Sequence, residues 1–303
     1  MFTDYIINTI KNERMDNMDK TVMYQLTETS EFMMSFVIVT KQNNVIVIDG
    51  GRPLDMPLLK EYVAGRHISA WILTHAHNDH ISGFVDEIDK NGGADFDIEK
   101  VYYNFPPYDI INNHNVPDYE YYCAELNEML PDFNRILPKI KNKCHIVQQG
   151  ETVQIDEITI DFIYTYHPGL VSNLINDSSL VFKLRTADTS VIFLGDLGAE
   201  GGDMLFRESR HLLKSDMVQM AHHGHMNCGM EVYAEIAPKV CLWCCPDWLY
   251  EEDEIPYYLA DTDIQFKRGR HRLYGTKMTR KWMDILGAEK HYVTKDGTNT
   301  IYI

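Results

Sequence analysis

The stretch THAHNDH, residues 74–80, concentrates three histidines and an aspartate at the end of an apolar run, AWIL (70–73). A neutral imidazole binds metals well, and histidine titrates near neutral pH, so such a cluster is costly as packing and useful as a set of ligands. The alternative, in which the histidines make ordinary loop hydrogen bonds, does not account for this spacing. The stretch therefore predicts a metal site where a buried strand ends.

Two further apolar strands end in ligand-type residues. FLGD (193–196) brings Asp196 to a strand end, and QMAHHGH (219–225) brings three histidines to another. In sheets covered by helices, sites are assembled from residues at strand ends. We therefore expect the three stretches to meet in one site.

The rest of the pattern predicts an α/β protein. Three β-rich segments, Val22–Leu26, Phe32–Thr40 and Asn44–Ile48, open the chain as an antiparallel meander. Strands then alternate with helical patterns, among them a helix over Gly83–Lys90, in two successive halves. This order indicates two sheets with helices on their outer faces.

Composition narrows the class of protein. The chain of 303 residues has 45 acidic and 28 basic residues and a net charge of −17, which disfavours a long nucleic acid as partner. Its six cysteines form no regular framework and are expected to be reduced. We find neither a secretory leader nor an apolar run near the ~20 residues of a membrane span, and expect a cytoplasmic protein without a membrane span.

THAHNDH resembles the HxHxDH signature of the metallo-β-lactamase superfamily, and Asp49-Gly50-Gly51 is similar to that superfamily's early DGG turn. NDSSLV (176–181), FLGD and AHHG (221–224) resemble the N-x-S-L-V, LxGD and HHG series of one branch. That branch contains the hydrolase domain of DNA-uptake channel proteins and the phosphorylcholine esterases. The resemblance implies an αβ/βα four-layer sandwich, with 1–303 as a single domain, 1–20 as an N-terminal extension and 246–275 as an insertion at the rim of the site.

The resemblance also implies two divalent metal ions, zinc in the first place and manganese or iron as alternatives. The implied ligands are His75 and His77 for the first metal, Asp79, His80 and His222 for the second, and Asp196 for both. His223 would then face the substrate, although the order of His222 and His223 stays open. Either His167 or a water molecule would complete the first metal. Asp49 and Asn176 are candidates for supporting the ligands or the DGG turn.

The implied activity is hydrolysis of a small phosphodiester by a metal-bridging hydroxide, with Asp79 as a ligand in the catalytic centre and His223 or His225 assisting the developing charge or the leaving group. Two alternatives remain open. One is an acyl hydrolase of a lactone, thioester or β-lactam. The other is a scaffold that binds metal without catalysis. The sequence leaves the oligomeric state undetermined.

The segment WCCPDWLYEEDE (243–254) bears on the substrate. Its aromatic and acidic residues, Trp248 and Tyr250 among them, could hold a quaternary ammonium group at the rim through cation–π contact. The alternative is a solvated acidic loop with aromatic side chains packed beneath it.

Overall fold

A computed structural model describes residues 20–29, 31–107, 129–170, 173–251 and 275–303. Nearly all of the expected N-terminal extension and most of the expected rim insertion lie outside the described residues. No helix in these ranges is both long and apolar enough to cross a membrane.

The first sheet combines the N-terminal meander, a group of parallel strands and the C-terminal strand. Its strands are β1 (Val22–Gln25), β2 (Ser35–Val39), β3 (Val45–Asp49), β4 (His67–Ile72), β5 (Asp97–Ile98), β6 (Val101–Tyr103), β7 (Cys144–Ile146) and β15 (Asn299–Tyr302). Their order is β15-β1-β2-β3-β4-β6-β7, with β5 beside β4. β3 and β4 are parallel, so the ends of both strands, and the motifs that follow them, lie at the same edge.

The second sheet repeats this plan. Its strands are β8 (Thr152–Ile155), β9 (Ile158–Tyr164), β10 (Val181–Arg185), β11 (Ser190–Phe193), β12 (Met217–Gln219), β13 (Val240–Trp243) and β14 (Lys290–Val293), in the order β14-β13-β12-β11-β10-β9-β8. β11, β12 and β13 run parallel to one another. Their carboxyl ends therefore also converge at one edge.

Helices cover the outer face of each sheet. The described α-helices are α1 (Met56–Val63), α2 (Asn78–Asn91), α3 (Leu130–Ile140), α4 (Leu174–Asp177), α5 (Ala199–Ser209), α6 (Met230–Ile236), α7 (Asp247–Tyr250) and α8 (Thr276–Leu286). The first three pack on the first sheet, and α5, α6 and α8 pack on the second.

Alternation along the strands sorts the apolar residues into layers, because successive side chains of a strand point to opposite faces. In β3, Ile46 and Ile48 enter the core between the sheets, whereas Val45 and Val47 enter the core beneath the helices. Phe36 of β2 meets Phe193 of β11 across the interior, with ring centroids 5.1 Å apart. The expected αβ/βα sandwich is thus confirmed.

The structure differs from the expected elements in two places. α2 begins at Asn78, inside the histidine motif, rather than at Gly83, because its first turn is built from polar ligand-type residues that carry no apolar periodicity. Neither β14 nor β15 was expected from the sequence. β15 pairs with β1, whose residues lie at the other end of the chain, and local patterns do not report such pairing.

Candidate metal centre

The histidine motif occupies a sharp transition from strand to helix. β4 ends at Ile72, and His77 is the residue that precedes α2. His75 and His77 therefore lie on the connecting turn, whereas Asp79 and His80 lie on the first turn of the helix. A carboxylate on a first helical turn is favoured by the positive end of the helix dipole.

Asp49, at the end of β3, holds this transition in place. Its carboxylate accepts hydrogen bonds from the backbone N–H of Thr74 at 2.8 Å and from the Thr74 hydroxyl at 2.7 Å. It also pairs with Nδ1 of His80 at 2.7 Å. Because that nitrogen must carry the proton, Nε2 of His80 is the atom left to face the centre.

Asp196 follows β11 on a turn that requires glycine. Gly195 has φ of 56°, and a Cβ added there would lie 2.8 Å from the Ser179 hydroxyl oxygen. The same hydroxyl accepts the backbone N–H of Asp196 at 2.9 Å. Gln219, buried at the end of β12, accepts the N–H of Gly195 at 2.9 Å and donates to its carbonyl at 3.1 Å. The turn is therefore fixed from both sides.

The third stretch reaches the site on an unusual backbone. His222, His223 and Gly224 have successive φ values of 49°, 55° and 102°. Left-handed conformations cost energy in residues other than glycine and persist where the surroundings enforce them, often at functional sites. Here the N–H of His222 donates to the carbonyl of Gly195 at 3.1 Å, which joins this loop to the turn carrying Asp196.

Two groups of donor atoms converge between the sheets, and Asp196 belongs to both. One group is His75, His77 and Asp196; the other is Asp79, His80, Asp196 and His223. In each group the donor atoms lie within 4.8 Å of one another. Oδ2 of Asp196 is 3.2 Å from Nε2 of His80 and 3.5 Å from Nε2 of His223.

Each of these imidazole rings is oriented by a contact that its other ring nitrogen makes. Nδ1 of His223 lies 2.6 Å from the carbonyl oxygen of Cys244, so it carries the proton and leaves Nε2 facing Asp79 at 2.9 Å. Nδ1 of His75 lies 3.1 Å from the Thr74 hydroxyl. Contacts of this kind, to a carbonyl or a hydrogen-bonded side chain, are typical of metal-binding histidines.

The charges in this centre stabilise one another. Burial by itself raises the pKa of Asp79 and of Asp196, but His80 and His223 outweigh it and hold both pKa values well below the ordinary range. Burial lowers the pKa of His223, yet the two carboxylates raise it to about 10. Burial keeps the pKa of His75 well below its ordinary value, so His75 is neutral at pH 7.

An unsatisfied buried oxygen shows that a cation fits this centre. Among the described residues, Oδ1 of Asp196 has no hydrogen-bond partner, and Nε2 of His80 faces carboxylate oxygens of Asp79 and Asp196, at 3.4 Å and 3.2 Å. Leaving such an oxygen unpaired is costly unless a ligand meets it. A buried set of imidazole nitrogens and carboxylate oxygens suits zinc, and also manganese or ferrous iron.

Three of the histidines singled out in the sequence lie outside the two groups. Nε2 of His222 is 4.0 Å from Oδ2 of Asp196, and His222 packs beside His225 with ring centroids 4.7 Å apart. His167 is partly exposed, and its Nδ1 accepts the N–H of Gly169 at 3.0 Å. Of the two orders considered for the histidine pair, the geometry matches the one that groups His223 with Asp79 and His80.

The supporting residues were only partly foreseen. Asp49 is one of the two candidate supporting residues, and it orients the ring of His80 by pairing with Nδ1. Asn176 is buried and donates to the side chain of Asn173 at 3.1 Å. Gln219 and Thr74 were assigned no role, although a glutamine at the end of an apolar strand was a visible signal in the case of Gln219.

Trp248 and Tyr250, which the sequence analysis grouped at the rim, have different surroundings in the structure. Trp248 is 59% exposed and lies 6.0 Å from the ring of Phe32, which in turn lies 4.8 Å from the ring of His223. Tyr250 instead packs edge-on against Trp243, with the guanidinium of Arg280 4.2 Å from its ring centroid. Residues 252–254 of the acidic segment lie outside the described residues.

Comparisons with known proteins agree with this architecture. Residues 32–227 match the family model of the metallo-beta-lactamase superfamily. No curated protein matches the chain. Among solved structures, the metallo-beta-lactamase fold protein YhfI from Bacillus subtilis is 12% identical, with a TM-score of 0.52 over 93% of this chain and 100% of that one.

CmlA, a diiron beta-hydroxylase from Streptomyces venezuelae, is also 12% identical, with a TM-score of 0.55 over 94% of this chain and 54% of that one. At this identity both likenesses show the fold. The family match covers more than half of the chain and includes all three ligand-bearing stretches. The chain belongs to the metallo-β-lactamase superfamily, whose members are generally metal-dependent hydrolases.

Proposed function

We propose that the protein is a hydrolase that uses two divalent cations to cleave a small phosphodiester. The observation that carries the proposal is the pair of buried donor groups that share Asp196. Two overlapping groups around one carboxylate suit two neighbouring cations better than one. The superfamily's general chemistry, metal-dependent hydrolysis, supports the same reading.

Each donor group is assigned one cation. His75, His77 and Asp196 would hold the first, and Asp79, His80, Asp196 and His223 would hold the second. Zinc is the first choice for these nitrogen and oxygen donors, with manganese and ferrous iron as alternatives. When bound, such cations lower the pKa of a water molecule toward neutrality and neutralise charge on the ester.

The chain orients the histidine ligands and supplies a hydrogen-bond acceptor. Asp49 keeps the proton of His80 on Nδ1, and the Cys244 carbonyl does the same for His223. Burial lowers the pKa of His222 to about 3, so its imidazole is neutral at pH 7. Nδ1 of His222 lies 3.4 Å from the carbonyl oxygen of Met226, which leaves the lone pair of Nε2 on the side of Asp196. We therefore assign His222 the role of facing the substrate and accepting a hydrogen bond, with His225 beside it.

The substrate class rests on charge and on motif resemblance. The segments 176–181, 193–196 and 221–224 resemble those of a branch that contains phosphorylcholine esterases. A net charge of −17 opposes a long polyanion and favours a small diester. An acyl hydrolase is the second candidate, because the same centre also suits a carbonyl oxygen. A scaffold without activity is the third.

Activity and metal content measured on the same sample test this proposal. We expect turnover of bis-p-nitrophenyl phosphate, with about two metals per chain, and little turnover of a lactone or nitrocefin. Asp196→Asn should lose both metal and turnover, whereas Asp188→Asn, an exposed control, should lose neither. Turnover of the lactone or nitrocefin alone would move the protein to the acyl hydrolases. Metal-loaded protein that turns over none of these substrates would support the scaffold.

A further inference from the structure

We infer that Trp248 and Phe32 form an aromatic wall that binds a planar aryl substituent of the substrate, on the side of the centre formed by Asp79, His80 and His223. This inference rests on the proposed function and names part of its substrate. Phe32 and Trp248 are called the aromatic wall below.

The wall is continuous with the metal centre. The ring of His223 is followed by that of Phe32 at 4.8 Å and then by that of Trp248 at 6.0 Å, both in edge-to-face arrangements. The segment carrying Phe32 is fixed beside the motif, because the N–H of Met34 donates to the carbonyl of Asp79 at 3.2 Å. A group attached to an ester in the centre therefore meets these rings first on this side.

The solvent exposure of the aromatic side chains shows which ring a ligand can cover. Trp248 is 59% exposed, although large aromatic side chains are usually mostly buried. An exposed ring aligned with a polar centre offers apolar area that a ligand can cover. Tyr250 does not offer this, because Arg280 and Trp243 already cover it.

The charges around the wall favour an aryl group over an ammonium group. Arg52 lies 5.1 Å from the ring centroid of Phe32 and pairs with Glu31 at 3.3 Å. Lys295 lies 3.5 Å from Asp247, the neighbour of Trp248. Two cations and two carboxylates thus flank the wall, and a cation already occupies the position over Phe32 that an ammonium group would take. An uncharged planar group meets no such competition, and stacking on an aromatic side chain requires no charge on the ligand.

Binding of small anions to the metal-loaded protein tests the wall independently of turnover. Phenylphosphonate and methylphosphonate share one head group, contain no bond that the proposed activity would cleave, and differ only in the ring. We expect phenylphosphonate to bind roughly tenfold more tightly by titration calorimetry, as a stacked ring predicts. Trp248→Ala should remove this preference and change methylphosphonate affinity less than about twofold. Trp248→Phe, which keeps a ring, should retain most of the preference.

Tyr302→Ala is the matched control. Tyr302 is also a half-exposed aromatic residue, and it lies at the far end of β15 from the strand ends that carry the ligands. This variant should bind both phosphonates as the parent does. Equal affinity of the parent protein for both phosphonates would overturn the wall, as would a Trp248→Ala effect confined to phosphorylcholine.

A second probe pair separates the wall from the proposed function. Benzoate and acetate offer the same comparison of ring and methyl group on a carboxylate. If neither phosphonate binds but benzoate is preferred over acetate in a Trp248-dependent way, the phosphodiester proposal fails and the wall stands. If the phosphonates bind equally and benzoate gains nothing over acetate, the wall fails and phosphoryl binding stands.

Discussion

At the scale of single residues, the neighbours His222 and His223 have different surroundings: Nε2 of His223 lies 2.9 Å from Oδ2 of Asp79, whereas Nε2 of His222 lies 4.0 Å from Oδ2 of Asp196. The HHG stretch pointed to a ligand, but both histidines occupy left-handed backbone, and the direction of each ring depends on its contacts. Only the structure shows that the Cys244 carbonyl turns Nε2 of His223 toward Asp79. His75, His77, Asp79, His80 and Asp196 were each named from the sequence, because their motifs place them at strand ends.

The two neighbouring histidines should therefore differ when they are replaced. Asparagine tolerates left-handed backbone, so His222→Asn and His223→Asn make a matched pair. We expect His223→Asn to lose about one metal per chain, and His222→Asn to keep both metals while kcat falls by roughly tenfold, as the loss of one hydrogen bond predicts. Elemental analysis beside steady-state kinetics measures both quantities. If His222→Asn lost metal and His223→Asn kept both metals, His222 would be the ligand and His223 would face the substrate.

Asp49 should matter for metal affinity although it touches no metal. Asp49→Asn replaces a carboxylate oxygen with an amide that does not hold the proton on Nδ1 of His80, and we expect metal affinity to fall by about 10- to 100-fold. Asp55→Asn is the control. Asp55 is another buried carboxylate, which accepts the N–H of Arg52 at 2.8 Å. It should lower stability without this loss of affinity. Competition with a chromogenic chelator measures the difference, and equal losses in both variants would make the role of Asp49 purely structural.

At the scale of elements, the three ligand-bearing turns are fixed by contacts that reach outside each turn. Gln219 of β12 holds the turn after β11, and the N–H of Leu180 donates to the Thr74 carbonyl, joining the second sheet to the first motif. The sequence predicted most strands and helices because their apolar periods are regular. It did not predict the start of α2 or the pairing of β15, which depend on polar residues and on distant segments.

Gly195 offers a direct test of these fixed turns. Gly195→Ala must place a Cβ 2.8 Å from the Ser179 hydroxyl oxygen on left-handed backbone, and we expect the free energy of unfolding to fall by about 2 kcal/mol or more. Metal affinity should fall with it, because Asp196 follows directly. Gly65→Ala is matched in φ, at 70°, and its Cβ would meet no described atom within 4 Å. It should cost only about 1–2 kcal/mol and leave metal binding intact. Denaturant titrations with and without metal would show no difference between the variants if the turn tolerated the methyl group.

At the scale of the whole molecule, the two sheets contribute unequal shares of one charged centre. His75, His77, Asp79 and His80 come from the first sheet, and Asp196 and His223 come from the second. In the absence of metal, the proton on His223 offsets the two carboxylates. The stability of the metal-free protein should therefore depend on pH more strongly than that of the metal-loaded protein.

The direction of this dependence follows from the pKa of His223, which is raised to about 10 in the folded state. Its contribution to stability is complete below the ordinary value of about 6.5 and is lost as the pH rises toward 10. We expect the melting temperature of chelator-treated protein to fall between pH 6.5 and pH 10, and that of zinc-loaded protein to fall less. At pH 7.5, zinc binding should release protons, as calorimetry in two buffers would report. The prediction would be contradicted if the melting temperatures of the two forms changed equally with pH and zinc binding released no protons.

The division of ligands between the sheets also sets the order of events as the chain is made. A ribosome that has synthesised strands β1 to β7 has delivered four donors, but neither group is complete, because both await Asp196. The second group must wait further, until the loop after β12 brings His223. A nascent chain therefore presents an open cluster of histidines for much of its synthesis. Completion of either donor group is therefore a late event of synthesis, which waits for residues of the second sheet.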